Sequence, residues 1–390
     1  MKIASAIVRS KDWEKATEEA LAQTTKQMAG VTPDIAILFA SYAFAEFFPE
    51  MTGEVQLRTK AHLLVGCSGQ GVIGAGEEIE GEPAVSLLLL SLPGARFTPY
   101  HFTQAQIEES SGPGFWHIET EIEPKDVNAW ILLADPFHTD ADALVRELGE
   151  AYPDIPVVGG MASGSDNVSL FLNTDCFHEG AIGVAVGGDW TLHAVVSQGC
   201  RPIGEPWTIT QVERNVIFQI ARKSAYQVLT ETFRSLSKAD QQHAQHNLLV
   251  GLAINEYQEE FRRGDFLIRN IMGIDAKSGS MAIGALPRAG QTMQFQLRHA
   301  DAATEDMEHM LAQAQKDLGP RKGAAGLLFC CNGRGEGLFG EPSHDARMVA
   351  EKLGPIPLAG FFCNGEIGPV GNKTFLHGFT ASLGLFVKRG

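Results

Sequence analysis

Three stretches of this chain repeat one plan, and this repetition limits the fold more than any other feature. Each stretch has an apolar run, a polar loop, a helix-length segment and a second apolar run that ends in glycines; the stretches are residues 35–71, 130–164 and 326–368. Short continuous apolar runs are typical of strands buried on both faces, so the spacing predicts strand–helix–strand units. Because such sheets bind ligands beyond the carboxyl ends of their strands, we expect the three glycine turns to converge on a site.

Length, charge and cysteine content narrow the class of protein. The 390 residues carry 47 acidic and 31 basic side chains, a formal net charge of −16 that disfavours nucleic acid as a partner. The sequence has no apolar run of 18 residues, and charged residues lie throughout the first 30 positions, so we expect neither a signal peptide nor membrane insertion. Six cysteines without a CxxC pair predict free thiols in the reducing cytoplasm.

Proline and glycine interrupt the pattern at residues 199–207, where we divide the chain into domains 1–206 and 207–390. The sequence predicts an α/β fold with two related halves, in which mixed sheets are flanked by helices and an αββα layering is one candidate arrangement. The acidic, glycine-rich residues 74–83 are expected to form a surface turn. The polar residues 235–247 are expected to form a loop or a solvated helix.

Two common types of active site are not expected. The GxGxxG pattern at residues 69–74 is followed by three glutamates and no helical periodicity, unlike a dinucleotide-binding turn. Ser68 and Ser163 lie near suitable turns, but neither fits GxSxG. We therefore expect no enzyme activity, with a cysteine-dependent enzyme using Cys67 or Cys363 kept as an alternative.

Arg334 and Glu366 are the most suggestive charged residues. Arg334 follows a predicted buried strand among glycines, where a guanidinium can bind a carboxylate with two hydrogen bonds. Glu366 has the complementary charge, so the two side chains together would suit a zwitterion such as an amino acid. The equally weighted alternative is that Arg334 and Glu366 form a buried salt bridge with each other.

With these motifs in order, the chain resembles the FIST family, named for F-box and intracellular signal transduction. The resemblance covers nearly the whole chain and includes the turns GCSGQGVIG, VVGGMASG, CCNGRG and FFCNGEIGP. It implies an N-terminal FIST half, 1–206, and a C-terminal FIST half, 207–390. No F-box is expected, because the segment before residue 35 is too short for one with a linker.

The resemblance implies a cytoplasmic sensory module that binds a small ligand, an amino acid or small carboxylate, and signals through a separate partner protein. Some relatives are described as haem-dependent gas sensors, for which His138, His344 and Cys67 are candidate axial ligands, although we expect no cofactor. A non-catalytic interaction scaffold is a further alternative.

The predicted ligand site collects residues from all three turns. Arg334 would bind a carboxylate, Glu366 and Asn364 would receive an amine, and Cys67, Ser68 and Ser163 would line the opposite wall. We expect Arg334→Ala to abolish binding without unfolding the protein. The full predicted set is Cys67, Ser68, Gly69, Gly160, Ser163, Asn332, Arg334, Cys363, Asn364 and Glu366.

Overall fold

The chain folds into two compact units that are each assembled from separate parts of the sequence. The computed structural model describes residues 1–258, 261 and 264–390. Unit 1 comprises residues 1–196, 307–376 and 380–390, and unit 2 comprises residues 197–306 and 377–379. All three repeats therefore lie in unit 1, and the sequence of unit 2 is inserted between the second and third repeats. The division of the chain at residue 206 stays a prediction about its two family halves.

The first repeat and its flanking strands occupy residues 2–91. Helix α1 begins where the Asp12 carboxylate accepts hydrogen bonds from the N–H groups of Glu14 and Lys15, and both strands of the repeat, β2 and β3, are buried along their whole length. The elements are β1 (Lys2–Arg9), α1 (Trp13–Met28), β2 (Ile35–Ser41), a 3₁₀ helix (Tyr42–Phe47), α2 (Phe48–Thr59), β3 (Leu63–Gly69), β4 (Val72–Gly74), β5 (Glu77–Ile79) and β6 (Ala84–Ser91).

The second repeat follows the same order of elements. Its helix begins at Asp140, whose carboxylate accepts a hydrogen bond from the N–H of Ala143. The elements are β7 (Ala95–Phe102), α3 (Gln104–Glu109), α4 (Pro113–Thr120), a 3₁₀ helix (Pro124–Asp126), β8 (Ala129–Ala134), α5 (Ala141–Ala151), β9 (Val157–Met161), β10 (Leu170–Leu172), β11 (Asp175–Phe177) and β12 (Ala181–Gly188).

Unit 2 contains a seven-stranded sheet with its own apolar core, which includes Ile209, Val228 and Phe295. Its elements follow β13 (Trp190–Gln198) and are β14 (Cys200–Glu213), β15 (Val216–Ile220), β16 (Lys223–Ser224), α6 (Ala225–Ser235), α7 (Lys238–Asn247), β17 (Leu248–Ala253), β18 (Phe266–Asp275), β19 (Ser280–Ile283) and β20 (Thr292–Arg298). The polar segment at 235–247 thus forms a helix, capped by the Ser237 hydroxyl, which accepts from the N–H of Asp240 at 3.1 Å.

The third repeat and the last strand complete unit 1. The elements are α8 (Ala300–Leu318), β21 (Ala325–Cys331), the short helix α9 (Glu336–Phe339), α10 (His344–Leu353), β22 (Leu358–Cys363), β23 (Glu366–Val370), β24 (Lys373–His377) and β25 (Thr380–Lys388). In every repeat the two strands pair in parallel, and an antiparallel strand pairs with the other edge of the first strand.

Each repeat forms the centre of one six-stranded sheet, called sheet 1, 2 or 3 after its repeat. The orders are β1-β6-β2-β3-β10-β11, β24-β23-β9-β8-β12-β7 and β13-β25-β21-β22-β4-β5. The hairpin after each repeat crosses to another sheet: β4–β5 pairs with β22, β10–β11 with β3, and β23–β24 with β9. Sheet 1 thus gives its hairpin to sheet 3, sheet 3 gives one to sheet 2, and sheet 2 gives one to sheet 1, so the three sheets are connected in a cycle.

One glycine recurs at the same register in all three parallel pairs. A Cβ atom added to Gly66, Gly159 or Gly360 would lie 1.7–1.8 Å from the carbonyl oxygen of the paired leucine, Leu38, Leu132 or Leu328. Only glycine permits this close approach of the two strands. The shared glycine is direct structural evidence that the three repeats are equivalent.

The three sheets share a central core and are covered by helices on their other faces. Phe39 of sheet 1 contacts Phe361 and Phe329 of sheet 3 in the centre, with ring centroids 4.9 and 6.2 Å apart. Separate apolar clusters join sheet 1 to α1 and α2, sheet 2 to α4 and α5, and sheet 3 to α8 and α10. The predicted α/β class, with mixed sheets flanked by helices, is confirmed.

The structure bears on two local predictions, the surface turn at residues 74–83 and the domain division at residues 199–207. The surface turn expected at residues 74–83 is wrong in its centre, because β5 pairs with β4 and buries Glu78 and Ile79. This hairpin also removes the dinucleotide alternative, since strand β5, and not a helix, comes after the GxGxxG pattern. The segment chosen for the domain division lies within β14, whose pairing with β20 shifts register between Ile203 and Trp207.

Candidate functional site

The three glycine turns meet and hold one another through backbone and side-chain hydrogen bonds. The Ser163 hydroxyl donates to the carbonyl of Phe362 and accepts from the N–H of Gln70 at 2.9 Å. The N–H of Asn364 donates to the Met161 carbonyl at 3.0 Å, which joins the second and third turns a second time. The predicted convergence is therefore present, as a packed junction of the three sheets.

Most residues predicted to line the ligand site from the first two turns are interior packing residues. The Ser68 hydroxyl donates to the Ser163 carbonyl at 3.2 Å and accepts from the N–H of Ser169 at 3.1 Å. Gly69 is buried beside Phe361, and a Cβ on Gly160 would lie 2.5 Å from the Cys363 sulfur. These side chains stabilise the junction.

Cys67 and Cys363 are fully buried, which bears on the alternative of a thiol-dependent enzyme. Burial raises the pKa of both thiols well above the ordinary value. A reactive cysteine needs a stabilised thiolate and access to its substrate. The geometry therefore favours structural roles for these two cysteines.

Arg334 is buried at the carboxyl end of β21, where its N–H donates to the Cys331 carbonyl in a tight turn. Its Nε donates to Asp345 Oδ2 at 2.6 Å, and its Nη2 donates to Asp345 Oδ1 at 2.9 Å. The Phe339 ring lies against the guanidinium, 5.3 Å from centroid to Cζ. The alternative of a salt bridge between Arg334 and Glu366 is thus wrong, because the partner of Arg334 is Asp345.

Asp345 is the second residue of α10, and its carboxyl group is ionised. Burial alone would raise its pKa, but the Arg334 guanidinium overrides that effect and holds the pKa of Asp345 well below its usual range. The Nδ1 atom of His344 lies 3.0 Å from Asp345 Oδ1 and adds a further contact. Asp345 is a functional-site residue that the sequence interpretation missed, although it is next to His344, one of the candidate haem ligands.

Glu78 comes from the β4–β5 hairpin of the first repeat and reaches the same place. Its Oε1 accepts from the N–H of Ala346 at 2.8 Å, in the first turn of α10. Burial, followed by the negative charge of Asp345, raises the pKa of Glu78 to about 8. Glu78 therefore carries a proton at neutral pH. We call the group Glu78, Cys330, Arg334, His344 and Asp345 the Arg334 cluster.

Glu366 is also buried, and its Oε2 accepts from both the N–H and the hydroxyl of Thr380, at 3.1 and 2.8 Å. Burial raises its pKa to about 8, against the opposing effects of Thr380 and Arg334. The carboxyl group is thus mostly protonated at neutral pH and fixed by the last strand. Its Oε1 has no hydrogen-bond partner among the described residues, so the role of Glu366 as an amine receptor stays a prediction.

Several buried polar atoms in this region have no hydrogen-bond partner among the described residues. They are Arg334 Nη1, Glu78 Oε2, Asn332 Oδ1 and Glu366 Oε1. The Asn332 amide uses its Nδ2 to donate to Asn364 Oδ1 at 2.7 Å, so these two predicted site residues do meet. Because unpaired buried polar atoms are rare and costly, this concentration marks the Arg334 cluster as the candidate site.

The Arg334 cluster contains a group of potential metal ligands. One candidate ligand atom each from Glu78, Cys330 and Asp345 lies within 4.8 Å of the others. However, Arg334 already binds both oxygens of Asp345, and its guanidinium would repel a divalent cation at this distance. The residues suit a polar organic ligand better than a metal ion.

The three candidate haem ligands do not fit that role. The His138 side chain is 58% exposed and its Nδ1 lies 3.0 Å from Asp135 Oδ2. The His344 ring stacks on Phe339 at a centroid distance of 3.5 Å, while Cys67 is enclosed in the central core. An axial ligand needs a free donor atom facing an apolar cavity, and these environments offer none.

Comparisons with known proteins identify the family. The FIST N domain model matches residues 34–223, and the FIST C domain model matches residues 225–369. An uncharacterized protein of Mycobacterium tuberculosis (strain CDC 1551 / Oshkosh) is 36% identical over 99% of this chain and 100% of its own length. One from Mycobacterium bovis is 35% identical over 99% of both chains.

Among solved structures, cyanuric acid hydrolase from A. caulinodans aligns over 100% of this chain and 99% of that one. Its identity is 8% and its TM-score 0.38, which is too weak a likeness to inform the fold or the activity of this chain. No helix in the described parts of the chain is long and apolar enough to cross a membrane. FIST domains are sensor domains of signal transduction, and the two domain matches show that this chain belongs to the FIST family.

Proposed function

We propose that this chain is a cytoplasmic, non-catalytic sensor that binds a small zwitterion, an amino acid, at the Arg334 cluster and signals through a separate partner protein. The observation that carries the proposal is the pair of buried atoms without a hydrogen-bond partner among the described residues, Arg334 Nη1 and Glu78 Oε2. One is a cationic donor, and the other is a carboxyl oxygen that accepts from an ammonium group once Glu78 is ionised. An α-amino acid supplies the complementary carboxylate and ammonium groups.

Arg334 would bind the carboxylate of the ligand. Its guanidinium is held by Asp345 on two nitrogens and by the Phe339 ring on one face, so little side-chain entropy is lost when Nη1 donates to a ligand. Asn332 follows β21 and donates to Asn364, which is exposed and follows β22; both would contact the rest of the ligand. In this proposal Asp345 positions Arg334.

Glu78 would receive the ammonium group. Glu78 is mostly protonated at neutral pH because its pKa is raised to about 8, and an ammonium group beside it would favour the ionised form. Binding would therefore release close to one proton per ligand at pH 7. This coupling distinguishes a zwitterion from a simple carboxylate, which would not drive the release.

Helix α9 would carry the signal. Phe339, its last residue, stacks on His344 and covers Arg334, so α9 would have to move when a ligand enters. Gly335 and Gly340 flank α9 with φ values of 67° and 71°, a conformation that glycine adopts without strain. A partner protein would respond to the position of α9, provided that the ligand binds one position better than the other.

A thermal-shift screen of amino acids, matched acids without the amine, matched amines without the carboxylate, and haemin tests the proposal. We expect an amino acid to raise the melting temperature more than either matched compound, because only the zwitterion satisfies both atoms. Isothermal titration in buffers of different ionisation enthalpy then measures the released proton.

The variant Glu78→Gln keeps the shape of the side chain and removes the ionisable group. It should weaken amino-acid binding at least tenfold and eliminate proton release, while Glu77→Gln, an exposed change on the same strand, should do neither. The proposal fails if no amino acid binds, or if Glu78→Gln binds as tightly as the original protein. Stabilisation by haemin alone would favour the gas-sensor alternative, and no response at all would favour an interaction scaffold.

A further inference from the structure

Unit 2 contains a cavity of about 320 Å³ that the proposed amino-acid site does not use. It lies between the end of α7, the beginning of β17, the middle of β18, the end of β20 and residue 379, all within unit 2. The volume is at the lower end of the range of about 300–1,000 Å³ for small-molecule sites. The residues that decide its chemistry are Asn247, Leu249, Ile271, Ile274, Arg298 and Phe379.

Six of the ten lining residues are apolar, three are uncharged polar residues and one is charged. Arg298 is the one charged side chain among the described lining residues, and no acidic residue accompanies it there. In a chain with a net charge of −16, an arginine in a cavity wall that has no acid among its described lining residues favours an anion. The aliphatic walls, which include Leu249 and Ile271, suit an apolar body attached to that anion.

Arg298 is oriented by an aromatic ring. Its Cζ lies 5.4 Å from the centroid of the Phe379 ring, within the range of a cation–π contact. The guanidinium has five N–H donors, so it can keep its existing contacts and still donate to a ligand carboxylate. The flat ring of a ligand in the cavity would pack against the Arg298–Phe379 pair and against the aliphatic side chains of the wall.

We infer that unit 2 binds a small aromatic monocarboxylate in this cavity, with Arg298 receiving the carboxylate and the apolar wall receiving the ring. The site is separate from the Arg334 cluster in its residues and its ligand chemistry. It therefore gives the chain a second small-molecule input, and its failure would leave the amino-acid proposal untouched.

Isothermal titration with benzoate and phenylacetate, and with their neutral amides as controls, tests the inference. Each acid should bind at least tenfold more tightly than its amide, because only the acid forms a charge-assisted hydrogen bond with Arg298. Arg298→Gln should remove that preference. The inference is overturned if acid and amide bind equally, or if neither acid gives saturable binding at concentrations up to about 10 mM.

A cavity-filling variant does not depend on the arginine. Ile274 lines the cavity and is 46% exposed, so Ile274→Trp should fold and fill the space, with loss of acid binding by tenfold or more. Met272→Trp is the matched control, because Met272 is two residues earlier on β18, is 68% exposed and does not line the cavity. Undiminished binding by a folded Ile274→Trp variant would place the ligand elsewhere and overturn the inference.

Discussion

The first two repeats and the third share a backbone but differ in the contacts made just beyond their first strand. In the first repeat the Ser41 hydroxyl accepts from the N–H of Ala84, and in the second the Asp135 carboxylate accepts from the N–H groups of Phe137 and His138. In the third repeat Arg334 occupies this region, and one of its nitrogens has no partner among the described residues. The polar side chains at the ends of the first two strands are therefore hydrogen-bonded to backbone N–H groups. Arg334 in the third repeat can still donate a hydrogen bond from Nη1.

This difference separates the residues that make the fold from those that give it a function. The glycine shared by all three parallel pairs, and the exchange of hairpins between sheets, serve the three repeats equally. The buried ion pair of Arg334 and Asp345 occurs in the third repeat, joined by Glu78 from a hairpin of the first. The exchange of hairpins thus brings an acid from one repeat to the arginine of another.

The largest expected loss of stability comes from substituting the glycine that the three repeats share. Gly66→Ala, Gly159→Ala and Gly360→Ala each place a Cβ atom within 1.8 Å of a carbonyl oxygen, so each should cost more than about 4 kcal/mol or prevent folding. Urea denaturation followed by circular dichroism measures the loss. Gly53→Ala is the control, because Gly53 lies in α2 with open space around it, and alanine there should stabilise the helix by about 1 kcal/mol. A mild effect at one of the three positions would show that the repeats are not equivalent.

The second-largest expected loss of stability comes from breaking the Arg334–Asp345 ion pair of the third repeat. Arg334→Met leaves the Asp345 carboxylate buried without its cation, which should cost about 3–5 kcal/mol in the free energy of unfolding. This burial argues against the expectation that Arg334→Ala would leave the protein folded. The double variant Arg334→Met/Asp345→Leu removes both charges and should be more stable than Arg334→Met alone. Equal stability of the two variants would show that the buried charge is not the cause.

In the second repeat, substituting the residue at the corresponding position, His138, should change the stability only slightly. His138 lies beside Asp135 but is 58% exposed, so His138→Ala should cost less than about 1 kcal/mol. A loss as large as that of Arg334→Met would contradict the contrast between the repeats.

A smaller effect should appear in the pH dependence of stability. The folded-state pKa values of Glu78 and Glu366 are raised to about 8 from an ordinary value of 4.5, so between these values the folded protein binds more protons than the unfolded chain. The free energy of unfolding should therefore fall as the pH rises from about 5 to 8, by up to roughly 1.4 kcal/mol per pH unit for each group.

Denaturation midpoints measured across that range test the effect. Glu78→Gln and Glu366→Gln should each remove part of the slope, and the double variant should remove most of it. If the double variant keeps the slope of the original protein, these two carboxyl groups do not titrate as described.

Much of unit 1 could be predicted from the sequence, because its signals are local. Continuous apolar runs predicted the paired strands, such as β2 and β3, and the glycines after them predicted turns that do converge. The capping carboxylate of Asp12 marks the beginning of α1 in the same local way. The α/β class follows from these elements alone.

The candidate site was harder to predict, because its contacts join distant parts of the chain. Glu78 lies in an acidic, glycine-rich segment that is typical of a surface turn, and its burial depends on β4 pairing with β22. Its bond to the N–H of Ala346 spans 268 residues. The choice of Asp345 over Glu366 as the partner of Arg334 likewise depends on where α10 begins, which no local pattern specifies.

The most direct test of the central claim compares equivalent positions in two repeats. Asn364 and Gln70 each lie four residues after the shared glycine of their repeat, and both are exposed. If the third repeat binds the ligand, isothermal titration with the amino acid found in the screen should show at least tenfold weaker binding for Asn364→Ala and unchanged binding for Gln70→Ala. Equal affinities in the two variants, or a loss confined to Gln70→Ala, would contradict the assignment of ligand binding to the third repeat.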